Sequence, residues 1–169
     1  MENTVGLKGR VTYKLFDESG NIKQVGSACN IVTTQGDQYF VDQLSDAGAA
    51  TLHLMVLGTS STNVAKSDTW VGSAFSGNGS AATGQGTVNP ITNSGTPANL
   101  QLVGTFGVGY ATSNGITRVG YTNMNPSADG NGTPSGTNFF IAHGTISPTV
   151  NKSAGDSLVV TWDISFLGA

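Results

Sequence analysis

The chain is poor in charge. Asp, Glu, Lys and Arg make up 10% of its 169 residues, where about 25% is ordinary. The net charge is −3 and no Lys/Arg cluster stands anywhere along it. A surface built to hold phosphates is excluded, so no nucleic-acid partner is expected. Cysteine is almost missing. Cys29 stands alone, which rules out an intrachain disulfide and a thiolate metal cage. Long hydrophobic runs are missing too, since none approaches the ~20 residues that cross a bilayer. Met1 is followed by Glu2-Asn3-Thr4 and not by a basic, then apolar, leader. This predicts synthesis in a cytoplasm, with no signal peptide and no membrane partner.

What is abundant is turn chemistry. Glycine supplies 24 residues, about twice ordinary usage. With Ser, Thr and Asn it accounts for close to half the chain. Short strands joined by many turns have this composition, with Thr at exposed strand positions. The length fits one domain over 1–169 with a real core. Low charge has a second consequence. Surface charge helps keep a free monomer soluble, so a chain this poor in it is expected to hide surface in an assembly. The alternative is a monomer solubilised by Ser, Thr and Asn.

The most informative stretch is 138–167. In its closing run Leu158, Val160, Trp162, Ile164 and Phe166 alternate with Val159, Thr161, Asp163 and Ser165. A pleated strand puts five large apolar groups on one side. The partner run sets Phe140, Ala142, Gly144 and Ile146 against Ile141, His143 and Thr145. Ser147-Pro148 and 152–156 supply turns between them. The reading is a two-stranded ribbon whose apolar face another sheet must cover.

Earlier in the chain, 7–16 alternates and 21–27 returns after the turn Asp17-Glu18-Ser19-Gly20, which predicts a hairpin. Residues 1–9 read as an extended N-terminal arm. At 33–37 the period changes. Phe40, Val41 and Leu44, with Tyr39 and Gln43, have helical spacing. Thr34 is placed to cap this helix and Asp37 to sit in its first turn. So short a helix needs tertiary packing and is expected to plug one end or side of the sheets. A buried strand follows at 51–57, then a loop, then a short strand at 70–75. Residues 76–99 read as a long Gly/Ser/Asn-rich loop or arm, with strand character only at Val88-Asn89-Pro90-Ile91. The run 100–111 alternates again. Thr112-Ser113-Asn114-Gly115 reads as its hairpin turn and 116–124 as the return. A second glycine-rich loop spans 125–137. These elements predict an all-β fold, an antiparallel β-sandwich or jelly-roll-like barrel with one short α-helix.

Chemistry is thinly signalled. No G-x-S-x-G elbow occurs, and Gly77-Asn78-Gly79 and Gly84-Gln85-Gly86 lack the third glycine of a phosphate cradle. Asp163 reads as outward-facing and Asp156 as turn-stabilising. His53 and His143 are the only histidines. A metal site needs three or four ligands, and nothing else stands at ligand spacing. Asp129-Gly130-Asn131-Gly132 lacks the terminal Glu of a calcium loop. No catalytic residue, cofactor or metal is expected. Trp162 is in phase with the core. Trp70, after Asp68-Thr69, reads as packing at the core edge, with a sugar or a partner subunit as the alternative contact.

Three stretches together resemble a known group. They are Asn30-Ile31-Val32-Thr33-Thr34-Gln35-Gly36 before the helix, the run from Leu57-Gly58-Thr59 through Ser67-Asp68-Thr69, and Ala142-His143-Gly144-Thr145-Ile146-Ser147-Pro148-Thr149-Val150-Asn151-Lys152 leading into the alternating end. Their order looks like small tailed-bacteriophage virion proteins, described as head decoration, head-fibre or tail-fibre-like. Ser60 stands where that pattern has its second glycine, and Ile146 where it has an aromatic. The resemblance implies no catalytic residues. It implies a structural virion protein on the outer surface of the capsid, a cement protein bound to the major capsid protein and to copies of itself as a homotrimer. Trp70, Val71, Phe75, Val88 and Ile91 are the expected interface groups. The alternatives are a receptor-binding fibre head that takes a host-surface glycan, and a tail or baseplate protein.

Overall fold

The computed structural model describes residues 6–45, 54–60, 62–74, 85–93, 99–123 and 139–167. Among them are nine strands and one helix. In chain order they are β1 (Gly6–Phe16), β2 (Ile22–Val32), α1 (Thr34–Leu44), β3 (Leu54–Thr59), β4 (Ser73–Ala74), β5 (Gln85–Asn93), β6 (Asn99–Phe106), β7 (Ser113–Thr122), β8 (Phe140–Lys152) and β9 (Ser157–Leu167). Every pairing is antiparallel. The order β3-β5-β6-β9-β1-β2-β8-β7 returns on itself because β7 pairs with β3, and β4 lies on β3 beside β5. The fold is all-β and sandwich-like, as the composition predicts, and pairing joins its two layers at both edges.

The alternating run places β9 at the middle of one layer. β9 pairs with β1 on one side and β6 on the other, so Trp162 lies between Val11 and Leu102. Leu158, Val160 and Trp162 are fully buried, and Ile164 is 5% exposed. Facing them across the core are Met55 and Leu57 of β3 and Ile116, Val119 and Tyr121 of β7, all in one cluster. The Tyr121 and Trp162 rings meet with centroids 6.2 Å apart. Burying each such side chain stabilises the fold by about 1.5–3 kcal/mol.

The expected ribbon of the last two strands does not form. β8 pairs with β2 and β7, and β9 with β1 and β6. Alternation fixes which face is buried but not which strand lies alongside, and a strand with a wide apolar face is best used between two neighbours. Ser147-Pro148 lies inside β8. The real turn is 153–156, where Ser153 N donates to Asp156 Oδ2 at 2.8 Å and Asp156 N to Ser153 O at 3.1 Å. Asp156 is therefore turn-stabilising, but it is 4% exposed and also takes Lys23 Nζ at 2.7 Å. Asp163 is only half-buried and accepts from Gln101 at 2.7 Å.

Three other expectations are corrected. Asn114 and Gly115 are not a hairpin turn; they lie in β7, where its register with β8 is irregular between Ser113 and Ile116. The chain turns earlier, at 107–111, with φ +80° at Gly109 and +49° at Ala111. Residues 6–9 are not an arm but the start of β1, paired with β9 from Gly6↔Leu167 onward. The stretch 76–99, read as a loop or arm with strand character only at 88–91, holds a longer strand, β5, which includes those residues and pairs with β6 over seven positions from Thr87↔Thr105 to Asn93↔Asn99. Backbone pairing along an alternating neighbour needs few apolar side chains. The rest of that loop, 125–137 and the candidate calcium turn lie outside the described residues.

The helix forms where the period changes, but its cap is Thr33. Thr33 Oγ1 accepts from Gly36 N at 2.9 Å and also donates to Phe140 O. Phe140 N donates to Gln35 Oε1 at 2.8 Å, so the first turn of α1 is laced to the start of β8. Tyr39 is buried and packs edge-on to Phe139 at 5.9 Å. Val41 and Leu44, which share the helical spacing, face outward at 57% and 90% exposure.

Candidate functional site

The outer face of the β3–β7–β8 layer is where polar chemistry gathers. Core side chains of β3 and β7 alternate with Val56, Gly58, Arg118 and Gly120, which point away from the main core. Register sets Val56, Gly120 and His143 in one row and Gly58, Arg118 and Thr145 in the next. A bulge in β8 adds Phe140 to this face. Tyr121 pairs with Ala142 but Thr122 with Phe140, so Ile141 is an extra residue. An inserted residue resets the alternation. Phe140 thus leaves the Ala142 side, where the sequence pattern puts it, and joins Val56 and Val71 in a second buried cluster, with Trp70 packed on it.

Ser60 and segment 62–72 lie across this face as a strap. Its apolar part is Val71, 1% exposed, and Trp70, whose ring sits 5.5 Å from that of Phe140. Val71 fits because two glycines lie beneath it. A Cβ on Gly58 would come within 2.8 Å of Val71 Cγ2, and one on Gly120 within 2.5 Å of Val71 Cγ1. The polar part begins at Ser60, whose N–H donates to Thr117 Oγ1 at 2.9 Å. The Arg118 guanidinium donates from Nη2 to Thr62 O, and His143 Nε2 lies 3.1 Å from Ala65 O. Thr34 N donates to Lys66 O at 2.8 Å, and Lys66 Nζ pairs with Asp37 at 2.6 Å. Asp68 Oδ2 accepts from Ala65 N at 3.0 Å and lies 3.4 Å from His143 Nε2.

His143 is fully buried, and its tautomer follows from its neighbours. Arg118 Nη1, 3.4 Å from Nδ1, can only donate. Nδ1 therefore accepts, and the proton sits on Nε2 toward Ala65 O. Burial lowers the imidazole pKa, the Ala65 carbonyl and the Asp68 charge raise it, and Arg118 lowers it further; the net shift is downward. Burial also lowers the pKa of Arg118, against the pull of Asp68. A neutral ring bonds one strap carbonyl and one cation. A protonated ring would turn a second N–H toward the guanidinium.

A pH dependence follows. Unfolded chains bind this proton near pH 6.5, while the fold binds it only at lower pH. The stability held by neutral His143 is complete above about pH 6.5 and is lost as pH falls from there toward the folded pKa, by at most about 1.4 kcal/mol per pH unit. Urea midpoints should fall between pH 7 and pH 5, and the fall should flatten in His143→Gln. Equal slopes in both proteins would show that the ring titrates as in an open chain. Asp156 acts in a separate window. Burial raises its pKa, but the hydrogen bonds from Lys23 and Ser153 and the charges of Lys23 and Lys152 outweigh this and hold it low. Its contribution is lost only below the ordinary Asp range near pH 3.9.

Beside the strap is a cleft of about 100 Å³, lined in part by Ser60, Thr62, Asp68, Trp70 and Arg118. Of the predicted interface set, Trp70 is half-buried at this cleft. Val71 is 1% exposed, seated over Gly58 and Gly120, and also lines the cleft. Val88 and Ile91 fall in β5, and Phe75 and His53 lie outside the described residues. Among the described residues no three His, Cys, Asp or Glu side chains are grouped to hold a metal. Sequence reasoning passed over Arg118. The available signal was that Arg118 is the one charged residue of β7, between Thr117 and Val119, and a charged side chain that is buried needs partners. No helix among the described residues is long and apolar enough to cross a membrane. No protein-family model, curated protein or solved structure matches the chain.

Proposed function

We propose that the chain is a structural virion protein of a tailed bacteriophage, a cement protein that reinforces the capsid from outside as a homotrimer. The observation that carries the reading is the set of large apolar side chains left on the surface. Leu44 is 90% exposed and Val41 57% on the outer side of α1; Val108 is 65% and Ile22 57% exposed near the turns at the other end of β1. On a chain with 10% charged residues, such groups favour burial against other chains. The resemblance of three stretches to small phage virion proteins, the head decoration group among them, supports the shell as the partner. The buried polar groups support a structural role, because Arg118, His143 and Asp68 fasten the strap. Attachment then rests on apolar burial, about 25 cal/mol per Å², less the cost of ordering. Many identical sites and a multivalent trimer make weak single contacts sufficient.

The test is the copy number of this chain against the major capsid protein in purified particles. Hundreds of copies, scaling with capsid subunits, are expected, and Leu44→Glu should reduce that occupancy. A ring-like count of six or a few dozen would transfer the protein to tail or baseplate. Absence from particles would end the reading.

A further inference from the structure

We infer that the cleft beside Trp70 binds a single sugar residue, a use of the molecule separate from its attachment to a shell. The lining supplies the parts such a ligand needs. A pyranose has an apolar face of C–H groups and a rim of hydroxyls that each donate and accept. The half-buried Trp70 ring, backed by Phe140 at 5.5 Å, offers a braced aromatic surface for the face. For the rim, Asp68 keeps 33% of its side chain exposed and offers acceptors only. Arg118 offers donors only, and its Nε is buried with no hydrogen-bond partner among the described residues. The Ser60 and Thr62 hydroxyls, 2.9 Å apart, can serve in either sense.

Charge and size select among ligands. Asp68 and Arg118 line the same cleft with opposite signs, so a free anion gains from one and is repelled by the other. One carboxylate is too few for a divalent cation. A volume of about 100 Å³ is well below the 300–1,000 Å³ or so of drug-sized pockets. It admits part of one ring and leaves the remainder in solvent. The site is also pre-formed. Ala65 and Lys66 are tied to β8 and α1 through their carbonyls, so little ordering is needed on binding. A small, half-exposed ligand of this kind is expected to bind with a Kd on the order of millimolar.

The experiment is an amide-shift titration of the intact protein with methyl glycosides of glucose, galactose, mannose and N-acetylglucosamine, and with sodium acetate alongside. At least one glycoside should shift amides in 60–72 and 117–119 saturably. It should also change tryptophan emission, which reports Trp70 because Trp162 is fully buried. Trp70→Phe, which keeps an aromatic ring against Phe140, should weaken that glycoside about tenfold. Asp68→Asn should do likewise. If no glycoside moves those amides in the wild-type protein, or acetate moves them and no glycoside does, there is no sugar site. Unchanged affinity in Trp70→Phe would also overturn it. None of these outcomes bears on copy number in particles, so the two readings fail separately.

Discussion

Trp162→Ala is expected to destabilise the fold by about 3–5 kcal/mol, the range for a fully buried Trp removed from a core. The reason is its place in the topology. Trp162 is 0% exposed at the centre of β9, with Val11 on one flank, Leu102 on the other and Tyr121 across the core. Three strands and the opposing layer therefore lose contacts at once, and none can close the space without shifting a paired backbone. In urea the midpoint should fall with the slope unchanged. The melting temperature should drop by roughly 6–20 °C, on the basis of about 2–4 °C per kcal/mol at this size. Trp162→Phe should cost much less. It keeps a ring in place and removes an indole N–H that is buried without an acceptor among the described residues. A loss under about 1 kcal/mol for the alanine variant would mean that the layers do not meet at Trp162.

Trp162 also shows how much could be read from residue order. The alternation Leu158 to Ile164 marks a buried face, and the structure buries those side chains. The hairpin of β1 and β2 and the position of α1 were legible for the same reason, since local period and turn chemistry act over a few residues. Strand partners were not legible. β9 finds its neighbours in β1 and β6, far from it in the chain, and no local signal distinguishes them from β8. The bulge at Ile141 was equally silent: one added residue carries no composition of its own, yet it moves Phe140 from the main core to the strap. The polar site stayed hidden because its parts lie far apart. Arg118 meets Thr62 56 residues away and His143 25 residues away, and only the pairing of β7 with β3 and with β8 brings them together.

The strap supplies the second large effect. Gly120→Val is expected to cost about 1–3 kcal/mol by overpacking. Its Cβ would lie 2.5 Å from both Val71 Cγ1 and Phe140 Cε2. Phe140 is 0% exposed and Val71 1%, so neither can swing into solvent while the strap stays seated. The cheapest relief is for Val71 to lift, and with it the segment that carries Thr62, Ala65 and Asp68. Amide exchange in 62–72 should then accelerate more than exchange in β9, the mark of local opening and not of global loss. Val71→Ala alone should cost about 1–3 kcal/mol, as lost burial and a small cavity. Combined, the two changes should cost less than their sum by about 1 kcal/mol or more, because the new valine occupies the volume the old one vacates. Strict additivity, or exchange that rises equally in strap and core, would mean that Val71 is not what holds segment 62–72 against the sheet. The fastening would then rest on Arg118 and His143, and the strap should come away on acidification without any change at Gly120.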